Sequence, residues 1–145
     1  MLVKIASILA FIVLVAIGSF VYYQQTYLSI WGFNLSKQEL KEVIVQTENH
    51  SYIVTDKKQV LKIAEVVSKM KKYSKIESFN FPPQNKPEPY KELLIRTDNK
   101  AIYGGNFWVM DNTVTLDSSG YYWEPDYKKL SSTLKSSLKK AAILN

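Results

Sequence analysis

The side chains able to do chemistry are few and scattered. His50 is the single histidine, and triads and zinc sites normally draw on more than one such group. It falls in Glu48-Asn-His-Ser51, a turn sequence. Cysteine is absent, which removes disulfides, thiol nucleophiles and thiolate metal sites together. Asp98, Asp111 and Asp117 occupy positions where aspartate bonds the backbone of a turn, and no two carboxylates stand at a spacing that identifies an acid–base pair. No loop of regularly spaced oxygen ligands suggests Ca²⁺. Gly104-Gly105 lacks the helix start and downstream lysine of a phosphate loop. The expectation is a non-catalytic protein with no catalytic, cofactor-binding or metal-ligating residues. An envelope hydrolase using paired carboxylates is the enzymatic alternative.

Aromatic and basic side chains offer binding instead. Tyr103, Phe107, Trp108, Tyr121, Tyr122 and Trp123 fall on adjacent strands of an expected meander. Neighbours along a strand point to opposite faces, so Phe107 opposes Trp108 and Tyr122 opposes Trp123. Trp108, Tyr121 and Trp123 are the candidate binding surface, able to stack on sugars or grip a protein partner. Cross-strand packing inside a core is the plainer account of the same residues. The formal charge is +6, from 19 basic and 13 acidic residues. The positive charge is spread over lysines with Arg96 as the one arginine and no binding motif, which argues against nucleic acid.

The element that must position this domain is the beginning of the chain. Ile5 to Tyr23 contains no charged residue, and about 20 apolar residues in a helix match the hydrocarbon thickness of a bilayer. Lys4 is the whole basic flank, and the apolar run exceeds the short core of a signal peptide. Ala16-Ile17-Gly18 would still suit a signal peptidase, so a removed signal is the competing expectation. The chain therefore divides into an anchor, 1–23, a juxtamembrane aromatic linker, 24–35, and a small extracytoplasmic domain, 36–145. Lys4 lies before the span and no charge follows it until Lys37, which places the N-terminus in the cytoplasm. Tyr22, Tyr23, Tyr27, Trp31 and Phe33 have the composition of an interfacial belt. Ile30, Trp31 and Phe33 would equally serve as the first core residues of the domain.

The domain is expected to be α+β: an antiparallel sheet, made of a hairpin plus a meander, with two helices packed on it. Leu40–Thr47 and Tyr52–Val54 form the hairpin, with Val43 and Val45 on one face. Asp56 and Gln59 suggest a capping box, and Val60, Ile63, Ala64, Val67 and Met70 recur at helical spacing. Lys58, Lys62, Lys69, Lys71 and Lys72 lie mostly off that stripe. The prolines between Phe79 and Tyr90 predict an extended crossover, with Phe79 and Phe81 pinned to the core. Strands at 92–97, 100–103, 106–110, 113–116 and 121–123 follow, with a break at Gly104-Gly105 and a turn at Asp117–Gly120. Pro125 opens a last helix carrying Tyr127, Leu130, Leu134, Leu138 and Ala141 on one face.

This order of anchor, hairpin, Thr55-Asp56-Lys57-Lys58 helix start, proline-rich loop and tyrosine-rich meander resembles small envelope proteins and lipoproteins of Bacillus-type bacteria. Leu14-Val-Ala-Ile-Gly-Ser19 is similar to a lipoprotein box, except that Ser19 stands where lipidation requires cysteine. The resemblance implies a bacterial cell-envelope setting and carries no site residues. The expected function is a single-pass membrane protein presenting a binding or regulatory domain, with an immunity or toxin-neutralising role as another alternative. Its partners would be the lipid bilayer and an envelope protein or an anionic cell-wall or lipid surface. Trp31, Lys128, Lys135 and Lys139 are the candidate membrane-surface contacts. The domain cut before Ser36 is expected to bind anionic vesicles at low salt.

Overall fold

An apolar run with no polar face to show to water is suited to a helix within a core or a bilayer, and Leu2–Thr26 forms one helix, α1. The computed structural model describes residues 2–77 and 83–144. None of the 22-residue stretch Ile5–Thr26 is buried against the rest of the protein. It is long and apolar enough to cross a membrane, a test that a signal sequence near an N-terminus also passes. Phe79 and Phe81 lie outside the described residues.

The helix runs directly into a hairpin where the linker was expected. β1 (Tyr27–Ile30) pairs antiparallel with β2 (Phe33–Ser36). The Trp31-Gly32 turn between them has positive φ at both residues, 49° and 85°. That is the type I′ geometry whose twist matches a two-residue hairpin. Ile30, Trp31 and Leu35 are buried in the core. The β1–β2 hairpin therefore shares its buried side chains with the core of the domain that follows.

β3 (Leu40–Thr47) and β4 (Ser51–Val54) form the expected second hairpin. α2 (Lys57–Val67) follows, and Asp56 Oδ1 accepts the Gln59 backbone N–H at 3.0 Å. Only half of the capping box forms. The Gln59 side chain turns away to accept a hydrogen bond from Ser137 Oγ at 2.9 Å. Val60, Ile63, Ala64 and Val67 make the buried stripe. Lys71 and Lys72, read as helix residues, belong instead to β5 (Lys71–Lys75). Its burial pattern is almost wholly exposed, so no apolar alternation marks it in the sequence.

β6 (Tyr90–Thr97), β7 (Ile102–Met110), β8 (Thr113–Ser118) and β9 (Tyr121–Glu124) make the meander. α3 (Tyr127–Leu138) is capped by Asp126, with Pro125 before the helix rather than in it. β10 (Ala142–Leu144) ends the described chain. The eight-stranded sheet has the order β10-β4-β3-β6-β7-β8-β9-β5, all neighbours antiparallel. Pairing of β3 with β6 joins the hairpin to the meander, with Val43 opposite Ile95 and Val45 opposite Leu93. Those four side chains are fully buried, together with the apolar stripes of α2 and α3. Ile44, Leu94 and Arg96 face the other side and are half-buried. The fold is thus α+β, with α2 and α3 covering one face of the sheet and the β1–β2 hairpin closing the core.

Gly104 and Gly105 do not break the chain. β7 runs through them, pairing with β6 over 102–106 and with β8 over 107–110. A Cβ on Gly104 would lie 2.1 Å from the Leu93 carbonyl oxygen, and one on Gly105 2.0 Å from Asp117 Oδ1. Only glycine permits that backbone approach. The turn expected at Asp117–Gly120 shrinks to Ser119-Gly120, both at positive φ, because β8 continues to Ser118.

Candidate functional site

The β7–β8–β9 register decides which aromatic side chains reach solvent. Phe107, Leu116 and Trp123 are successive cross-strand partners. Trp123 is therefore held in the core beside Leu116, 7% exposed, with Nε1 donating to the Ser118 carbonyl at 2.9 Å. It is not available as a binding surface. Tyr121 shares that face, half-buried, edge-on to Trp123 with ring centroids 6.4 Å apart. Lys72 reaches over both rings, 4.2 Å from the Tyr121 centroid and 5.7 Å from that of Trp123.

Trp108 points the other way, opposite Thr115. The three expected contacts thus do not form one row, since a pleated strand puts Trp108 on the far side of the sheet from Tyr121 and Trp123. Around Trp108 there is a polar cluster that the sequence does not announce. Its Nε1 donates to Asp117 Oδ2 at 2.8 Å, and Asp117 Oδ1 accepts the Asn106 backbone N–H at 2.7 Å. Lys86 Nζ stands 4.9 Å from the Trp108 ring centroid and donates to Asn106 Oδ1 at 2.9 Å. Lys86 is placed there because Asn85 accepts from the Val109 N–H at 2.8 Å, along the edge of β7 that β6 leaves open. The segment's one sequence signal is proline content, which says nothing of its docking partner.

Trp31 is also displaced from its expected role. It is 2% exposed, with Nε1 donating to Met70 Sδ at 3.3 Å. Ser119 Oγ donates to its carbonyl oxygen. A side chain so placed cannot lie among headgroups; of the two readings of this residue, core membership is the observed one. Phe33, by contrast, is exposed, its ring tilted by 58° against that of Tyr103 with centroids 4.9 Å apart.

Lys128, Lys135 and Lys139 are all exposed, but they are spread along and just beyond α3. Two contacts establish that α3 packs antiparallel to α2. Ser137, near the end of α3, bonds Gln59 at the start of α2. Lys69, just past α2, lines a shallow cleft with Asp126, the cap of α3. Lys135 and Lys139 therefore lie beside the start of α2, and Lys128 at the opposite end of the helix layer.

Among the described residues no group of three or more His, Asp or Glu gathers closely enough to hold a metal ion. His50 is exposed in the β3–β4 turn, its backbone N–H and carbonyl both bonded to Thr47 Oγ1. Burial raises the Tyr127 hydroxyl from 10.0 to about 12, with Tyr90 and Glu88 adding to the shift. Tyr90 is raised chiefly by burial, despite its bond to the Ser131 carbonyl. Tyr73 is raised first by its hydrogen bond to Asp111 Oδ2 at 3.1 Å. These tyrosines are held neutral, as structural donors. No protein-family model, curated protein or solved structure matches this chain.

Proposed function

We propose that the protein is a single-pass membrane protein whose small α+β domain serves a non-catalytic binding or regulatory role at the outer face of a bacterial cell membrane. The observation that carries this reading is the junction at Thr26. An apolar helix with no buried surface passes without a spacer into a hairpin whose Ile30 and Trp31 are core residues. The domain is thereby fastened to the span through its own hydrophobic core. Lys4 before the span and the uncharged stretch to Lys37 support an N-terminus inside. The half-buried Trp108 with Lys86, Asn106 and Asp117 is the best-built surface for a partner, since its polar atoms are already oriented.

Membranes from cells expressing the chain decide the anchoring. Washing at high pH should leave the full-length protein in the pellet. A soluble chain starting near Ser19 would instead identify a cleaved signal. Protease added to intact protoplasts should digest the domain, whereas protection until lysis would reverse the orientation.

A further inference from the structure

The anchor, α2 and the end of α3 meet at one corner of the domain, and the charge there is strongly one-signed. The Lys37 N–H donates to the carbonyl of Thr26, the last residue of α1, at 2.8 Å. From the next residue, the Gln38 carbonyl accepts from Lys57 Nζ at 2.9 Å, and the Leu40 carbonyl accepts from the same amine at 2.7 Å. Lys57 is the first residue of α2. Two links thus tie the end of α1 to the start of α2, and antiparallel packing brings the end of α3 alongside. Lys58, Lys62, Lys135, Lys139 and Lys140 are exposed at this corner. The ion pairs Lys91–Glu88 and Arg96–Glu42 lie elsewhere. The acids nearby are Glu39, Glu65, which is exposed one turn beyond Lys62 on α2, and the cap Asp56, whose Oδ1 already accepts from Gln59. The other end of the helix layer is mixed, with Lys69 and Lys71 lining a cleft beside Glu124 and Asp126.

We infer that this corner is a docking surface for anionic phospholipid headgroups of the leaflet from which α1 emerges. The inference rests on α1 being a membrane span, and it goes further by fixing which side of the domain lies down. Thr26 closes the apolar helix, so the groups bonded to it stand at headgroup level. α2 runs from Lys57, bonded to Gln38 at the base of the β1–β2 hairpin, toward Met70, which accepts from Trp31 at the hairpin's tip, and ten residues of helix cover about 15 Å. That exceeds the screening length of about 8–10 Å at physiological salt. Lysines at the near corner feel the surface potential and those at the far end do not. Each lysine close to an anionic bilayer favours contact by roughly fivefold, and the tether makes the encounter intramolecular.

The test uses the full chain in lipid nanodiscs, carrying a fluorophore on Ser136→Cys, which adds the chain's one thiol. Nitroxide attached to the lipid headgroups is the quencher. Quenching should rise severalfold when phosphatidylglycerol is mixed into phosphatidylcholine discs, and fall again at high salt. Combining Lys58→Gln, Lys62→Gln, Lys135→Gln and Lys139→Gln should abolish the rise. Combining Lys69→Gln, Lys128→Gln and Lys129→Gln should leave it intact. Equal quenching in both lipids, or equal loss from both sets of substitutions, overturns the inference while leaving the anchor standing. Binding to a soluble polyanion without any lipid dependence also overturns it. A chain that fails to co-elute with the discs removes the span, and the inference with it.

Discussion

At the residue scale, Trp31 holds the most weight for its position. A non-glycine residue at positive φ is disfavoured by roughly 1–2 kcal/mol, and Trp31 adopts φ 49°. Burial of the whole indole offsets that strain. Trp31→Ala is expected to destabilise the domain by about 3–5 kcal/mol, the range for large aromatic deletions. Chemical denaturation of the full chain in detergent checks this. A midpoint equal to wild type would return Trp31 to the surface. Tyr127 makes a prediction of another kind. Its folded pKa is raised from 10.0 to about 12, so the neutral hydroxyl is favoured in the folded state. The associated stability is complete below pH 10 and is lost as pH climbs through about 12. Tyr127→Phe should flatten the fall in thermal midpoint over that window. An identical slope in the variant would show that the alkaline loss arises elsewhere.

At the element scale, β7 is the strand on which the sheet depends, because it alone pairs with β6 through one half and β8 through the other. The two glycines at the change of partner are there for clearance. Gly105→Ala would set its Cβ 2.0 Å from Asp117 Oδ1 and 2.1 Å from the Asp117 carbonyl oxygen. Backbone cannot move aside as a side-chain tip can, so the variant should lose several kcal/mol and also release Asp117 from Trp108. Near-ultraviolet circular dichroism with a denaturation curve would detect both effects. A wild-type curve would mean that β7 tolerates a side chain there. β5 shows the opposite kind of strand. Its exposed lysines and the irregularity between Lys72 and Ser74 suit an edge that must not pair with another chain.

At the scale of the whole molecule, the boundary between anchor and domain is the consequential feature. A chain starting at Tyr27 retains Ile30, Trp31 and Leu35, and one starting at Ser36 loses all three. Each buried side chain of this size is worth about 1.5–3 kcal/mol, against a total stability of about 5–15 kcal/mol for a typical domain. The longer fragment should therefore melt cooperatively and the shorter one should not. Equal thermal midpoints would reduce the hairpin to an ornament on a domain that begins at Ser36.

The sequence by itself determined what depends on local pattern. An uncharged run of that length can only be a buried or lipid-facing helix. Period-two alternation placed β3, turn residues at hairpin spacing placed β6 and β8, and the apolar stripes marked α2 and α3. Asp56 was legible as a cap because capping is settled within one helical turn. Tertiary structure alone decided the rest. Trp31 has the same composition signal at a membrane interface as in a core, and only its contact with Met70 separates the two. Gly104-Gly105 looks like a break until Leu93 and Asp117 are seen against it. β5 has no apolar face of its own, and becomes a strand because β9 offers an unpaired edge. The cluster of Lys86, Asn106, Trp108 and Asp117, like the basic corner of α2 and α3, draws on segments far apart in the chain. Their meeting is fixed by strand register and helix packing, which reside in long-range contacts and leave no periodic trace in sequence.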